Sequence, residues 1–113
     1  MSQPSIVVAA LYEIHPDDRE EFLTHVRNDI GHTRAKDGCI WYDVAESVVE
    51  PNVFRLTEGW ESREHLDAHI ASEVFQATIA AVSKLHIVRR VATIYNVVGS
   101  ESADVEGMED VSS

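Results

Sequence analysis

The sequence predicts an α+β fold, a ferredoxin-like βαββαβ sandwich. Four β-rich apolar runs alternate with two segments of helical period in the order β-α-β-β-α-β. Turn residues stand at the joints, with Gly38 before the second run and Glu50-Pro51-Asn52 before the third. The first and last runs carry apolar residues at both parities, which is unlike a sheet with one face in water.

The first run, Ile6–Ile14 (IVVAALYEI), reads as a buried strand. His15-Pro16-Asp17-Asp18 follows, and Pro with acids beside it suits the first turn of a helix. Phe22, Val26 and Ile30, with Leu23 alongside, form its apolar stripe. Gly31 is expected to weaken or kink this helix and Gly38 to end the segment. Cys39–Ser47 is the second strand and Val53–Trp60 the third, joined as a hairpin-like antiparallel pair. Ser62 is a natural N-cap for the next helix. Leu66 and Ile70 lie on its stripe, Ser72 breaks or re-caps it, and Phe75, Thr78, Ile79 and Val82 continue at helical spacing. Leu85–Val98 is the last strand.

On the first strand Ile6, Val8, Ala10, Tyr12 and Ile14 face one way, and Val7, Ala9 and Leu11 the other. Helices cover only one face of such a sheet. The simplest cover for the second is another copy, hence an expected homodimer. Asp43, Arg55 and Thr57 make that second face mixed.

The chain has 113 residues, enough for one domain with a modest core. Nine Lys and Arg stand against twenty Asp and Glu, a net charge of −11. That sign argues against nucleic-acid or anionic-membrane partners, which require clustered cations. Residues 1–98 read as the folded domain. Residues 99–113 hold five acids and no base, and are expected to form a flexible acidic tail, with docking through Val105 and Met108 as the alternative. The single Cys39 excludes an internal disulfide and any multi-cysteine zinc site. No leader and no membrane span are read, so the expected location is the cytoplasm.

His65 and His69 share a helix face at i, i+4. A two-histidine metal site is one reading, but Leu66 stands where a zincin helix needs Glu, and no third ligand is apparent, so no metal is expected. His69 reads either as a satisfied structural histidine or as a proton-transfer group, since imidazole titrates near neutrality. Trp60 reads as a core aromatic or as a wall for a flat ligand. Tyr42, Asn52, Tyr95 and Asn96 are polar handles near the same elements. Arg89 and Arg90 point to opposite faces. Gly-rich phosphate motifs are absent.

Asp37-Gly38-Cys39-Ile40-Trp41-Tyr42-Asp43-Val44, Pro51-Asn52-Val53-Phe54 and the block Trp60-Glu61-Ser62, Leu66, His69, Ser72, Phe75 together resemble the antibiotic biosynthesis monooxygenase (ABM) domain family. The resemblance spans about residues 5–98. It implies a dimeric ferredoxin-like α+β barrel with a pocket between sheet and helices. It also implies a monooxygenase that needs no cofactor and oxidises a small hydroxylated aromatic, quinol or polyketide-type substrate with O₂. On that reading His69 is the candidate base or hydrogen-bond partner. Trp60, His65, Tyr42 and Asn52 are candidate substrate contacts. Haem-degrading relatives use an Asn on the first strand and a His on the later helix. Here Ala9, Ala10 and Ile79 stand in those regions, which disfavours haem degradation. Leu56 and Leu66 replace the Asn and Tyr that surround the Trp in some polyketide-oxidising members. A ligand-binding or stress-response module without catalysis is the alternative on the same scaffold, and a metal- or haem-dependent enzyme is a third.

Overall fold

Alternation along four strands builds a single antiparallel sheet in a computed structural model, which describes residues 3–103. The strands are β1 (Ile6–Ile14), β2 (Cys39–Glu46), β3 (Val53–Trp60) and β4 (Ile87–Asn96), in spatial order β2-β3-β1-β4. The helices are α1 (Arg19–Thr33), α2 (Arg63–Ala71) and α3 (Glu73–Val82). This is the expected ferredoxin-like arrangement. β2 stops one residue short of the expected Ser47, and β4 is shorter than Leu85–Val98 at both ends.

Local chemistry sets the boundaries. A 3₁₀ turn at Pro16–Asp18 leads into α1, with the His15 ring accepting from the Asp17 amide at 3.1 Å. The Ser62 hydroxyl caps α2 by accepting from the His65 amide at 3.2 Å. Ser72 both ends α2 and opens α3: its extended backbone (φ −67°, ψ 148°) turns the chain, and its hydroxyl accepts from the Phe75 amide. Gly31 does not interrupt α1, because tertiary packing outweighs its lower helix propensity. Of the expected stripe of α1, Phe22, Leu23 and Val26 pack in the core. Phe22, Asp29 and Thr33 are buried, while Ile30 is only half-buried.

Register fixes which side chains meet under the helices. Val8 lies between Glu58 and Ile94, Ala10 between Leu56 and Ala92, and Tyr12 between Phe54 and Arg90. The core falls into two clusters, one of Ile6, Val8, Trp60 and Leu66, and one of Ile14, Phe22, Phe54 and Val82. On the outer face Trp41 lies across Gly59, and its indole N–H donates to Thr57 Oγ1 at 3.2 Å. Arg89 on that face pairs with Glu13 and Glu50. Residues 99–103 follow β4 without helix or strand, and the docking readings for Val105 and Met108 lie outside the described residues. Among the described residues, no helix is long and apolar enough to cross a membrane.

Two glycines in this fold respond oppositely to a methyl group. Gly38 has φ +79°, and a Cβ there would overlap the His65 ring. Gly31 lies in a helix with open space where a Cβ would stand. Gly38→Ala is therefore expected to lose at least about 2 kcal/mol. Gly31→Ala is expected to gain about 0.5–1 kcal/mol. Urea denaturation of both variants checks the pair.

Candidate active site

The two core clusters do not close on each other. Between them, sheet and helices line a cavity of about 180 Å³ that opens along β4, where Arg90, Ala92 and Ile94 are exposed. Its floor is the inward face of the sheet, where the small side chains of Ala10 and Ala92 pair at mid-strand. Phe22, Val26, Phe75 and Ile79 come down on it from the helices. A dry apolar space of about 150 Å³ is enough to hold a benzene ring, so the cavity suits a small flat aromatic.

One end of this apolar space is polar. Glu58 from β3 and His69 from α2 both line it, with Glu58 Oε1 and His69 Nε2 4.0 Å apart. Asp29 and Tyr42 line the same end, and the Tyr42 hydroxyl donates to Asp29 Oδ2 at 2.6 Å. His69 is wedged among rings: it stacks on Trp60 at 5.0 Å and meets Phe75 at 4.5 Å and the edge of Tyr42 at 6.0 Å. The Trp60 indole N–H donates to Glu58 Oε1 at 2.8 Å. Lys36 reaches in from the loop after α1, with Nζ 2.7 Å from His69 Nδ1 and 2.9 Å from Ser72 Oγ.

Burial dominates the electrostatics, because a charge loses hydration that the apolar lining does not replace. It raises Glu58 to about 6, against the lowering effect of the Trp60 hydrogen bond. It lowers His69 to about 4, and the nearby Lys36 charge adds to the effect. Tyr42 is pushed far up by burial and by its hydrogen bond to Asp29, so its phenol stays protonated. Near neutrality the polar end therefore offers a carboxylate of raised basicity beside an uncharged imidazole. His69 Nε2 and Asp29 Oδ1 are buried without a hydrogen-bond partner. Unsatisfied buried polar atoms are rare and mark places where a ligand atom would be welcome.

The expected site residues divide. His69 and Tyr42 line the cavity. Trp60 is fully buried but is not among the lining side chains. It supports His69 by stacking and orients Glu58. His65 points away from the cavity: its Nε2 lies 3.5 Å from Asp37, and its Nδ1 is held by Ser62. Asn52 sits in the β2–β3 turn at φ 63°, where its conformation shapes the hairpin. Of the arginine pair, Arg90 reaches the cavity lining and rests over the Tyr12 ring.

Glu58, Asp29 and Lys36 were not singled out from the sequence. Glu58 carried a readable signal, as the one acid on the inward parity Phe54, Leu56, Glu58, Trp60. Asp29 carried another, seven residues after Phe22 on the buried stripe of α1. The contact of Lys36 with α2 is long-range and had no local signal.

His65 and His69 do not converge as a metal pair, and an ammonium 2.7 Å from His69 Nδ1 opposes a cation there. Asp37, Glu61 and His65 do bring potential ligand atoms within 4.8 Å of one another at the surface. They lie at the N-terminal end of α2, whose dipole disfavours a cation.

A sequence model described as antibiotic biosynthesis monooxygenase matches residues 5–81. The Bacillus subtilis (strain 168) protein named "Putative monooxygenase YcnE" is 34% identical over 80 residues, which is 71% of this chain and 84% of its own. The structure of Rv0793 from Mycobacterium tuberculosis is 30% identical and superposes with a TM-score of 0.78, over 86% of this chain and 98% of its own. A crystal structure from Deinococcus radiodurans superposes with a TM-score of 0.80 at 22% identity, over 90% of this chain and 99% of its own, and so shares the fold. By its sequence and its architecture together, the chain belongs to the antibiotic biosynthesis monooxygenase family.

Proposed function

We propose that the protein is a cofactor-independent monooxygenase that oxidises a small hydroxylated aromatic, of the naphthol, quinol or anthrone type, with O₂. The observation that carries this reading is the Glu58–His69 pair, 4.0 Å apart at one end of an apolar cavity. A hydroxyl oxygen seated between them lies within hydrogen-bond reach of both. Glu58 takes the phenolic proton, and its raised basicity suits it to that role near neutrality. The electron-rich phenolate then passes one electron to O₂. Superoxide joins the ring radical at a carbon that bears hydrogen, para to the oxygen in a 1-naphthol or anthrone and ortho to it in a quinol, and Glu58 returns its proton to the peroxide. Loss of that carbon's C–H proton with cleavage of the O–O bond leaves a para-quinone, or a hydroxyquinone from a quinol, and water. One oxygen atom enters the product, the other leaves as water, and the substrate supplies all four electrons. At the buried Glu58–His69 end the apolar lining limits the water that reaches the radical pair.

Trp60, Phe75 and Tyr42 hold the His69 ring in place, so its Nε2 can meet the same oxygen without reorganising. Arg90 stands four residues along β4 from Ile94, the partner of Val8 in the Glu58 row, roughly 14 Å away at about 3.4 Å per residue. A substrate long enough to reach it would place a carbonyl or acidic group there.

Oxygen uptake over a panel of naphthols, quinols and anthrones tests the reading. Uptake is expected to rise with pH through about 6 as Glu58 loses its proton. Glu58→Gln should cost roughly 10²–10⁴-fold, the usual contribution of a general base. A rise centred near 4, lost in His69→Gln, would move the base to His69. Binding of the panel without uptake would make the protein a ligand-binding module.

We infer also that two copies pair through the outer faces of their sheets. Val91 and Tyr95 on that face are 55% and 53% exposed, beside Val7 and Leu11, and an apolar strip of this kind calls for a partner. Sedimentation at micromolar concentration should show a particle of twice 12.6 kDa. Val91→Asp should halve it, and a wild-type particle of single-chain mass would contradict the pairing.

A further inference from the structure

Lys36 reaches from the loop between α1 and β2 to the far side of the His69 ring from Glu58. The hydrogen-bond accounting around it is nearly closed. The Ser72 hydroxyl spends its single proton on the His69 carbonyl, at 2.7 Å. Its oxygen already accepts from the Phe75 amide at 3.2 Å, so towards Lys36 it can only accept again. Burial lowers the proton affinity of Lys36, while Asp29, Cys39 and Glu58 nearby favour its charged form, and an ammonium group has donors and no acceptor. Lys36 therefore gives one proton to Ser72 Oγ, and the one it aims at His69 requires a bare lone pair on Nδ1. The ring proton must then sit on Nε2, the buried atom that has no partner and faces the cavity.

We propose that Lys36 is a positioning residue that locks His69 in its uncharged Nε2–H form, so that His69 donates a hydrogen bond to the substrate oxygen while Glu58 receives the proton. The proposal rests on the monooxygenase reading for the identity of that oxygen, but the lock belongs to the protein alone. The two polar groups of the pair then have different parts. His69 cannot serve as the base through Nδ1, which is occupied, nor through Nε2, which already carries the proton. The nearby positive charge also resists a second proton on the ring, in line with its lowered affinity. Apart from Lys36, the ionisable groups near His69 are Glu58 on β3 and Tyr42 on β2, with Asp29 of α1 behind Tyr42. None of these offers Nδ1 a donor in place of Lys36. A ring fixed by the bond at its other nitrogen is the usual way an imidazole is held in one form.

The experiment is ¹⁵N NMR of the full chain labelled at histidine, followed from pH 4 to 8, with no substrate present. Wild type should show His69 as the Nε2–H form throughout the neutral range, titrating near 4. Lys36→Met should mix the two neutral forms and move the titration upward, and Lys36→Arg should restore the wild-type pattern. An Nδ1–H ring in the wild type would overturn the proposal without any variant. An unchanged His69 signal in folded Lys36→Met would overturn it as well. With a turned-over naphthol or quinol, Lys36→Met should lower kcat about 10–100-fold, as loss of an orienting partner does. Equal turnover would refute the catalytic part of the proposal. If wild type turns over nothing in the panel while the NMR lock is present, the monooxygenase reading fails and the lock stands.

Discussion

Desolvation is the constraint on which the site depends. A carboxyl and an imidazole sit where apolar side chains surround them, and each resists the charge it would carry in water. The two shifts run in opposite directions. Glu58 becomes a stronger base than a surface carboxylate, while His69 becomes a poor one. The roles divide between them because one low-dielectric space acts on groups of opposite charge type. Lys36 sharpens the division by placing a positive charge on the side of His69 away from Glu58.

The sheet makes that space available by omission. At mid-strand the inward positions of β1 and β4 are Ala10 and Ala92, and their short side chains leave volume that larger ones would fill. Beyond them on either side the core closes through Trp60 and Leu66 at one end and Phe22, Phe54 and Val82 at the other. Stability is thus concentrated at the two ends of the sandwich, and the cavity occupies the gap. The aromatic wedge around His69 belongs to the closed end, which is why a functional group can be held rigidly beside a void.

Much of the fold was legible because period and turn chemistry agree along the chain. Ile6–Ile14 and Val53–Trp60 begin and end where the residues predict, and Ser62 and Ser72 cap the helices their spacing marks. Phe22, Leu23 and Val26 of the α1 stripe pack in the core, but apolarity alone picks Ile30 and passes over Asp29 and Thr33, whose neighbours are set by the tertiary fold. His69 and Tyr42 were legible as candidates, and both line the cavity. Glu58 was overlooked although it is the lone acid on an apolar strand face. The role of Trp60 also shifted. Its size marked it as important, but only coordinates show it stacked against His69 and donating to Glu58. Lys36 lies 33 residues from His69, and no pattern in sequence joins them.

The carboxyl of Glu58 reports on the central claim with least interpretation. Its ¹³C NMR titration in the intact protein, assigned through Glu58→Gln, should have a midpoint near 6, as a desolvated base beside a neutral imidazole requires. A midpoint at the ordinary glutamate value of 4.5 would mean that water reaches the site freely, and the division of labour between Glu58 and His69 would lose its physical basis.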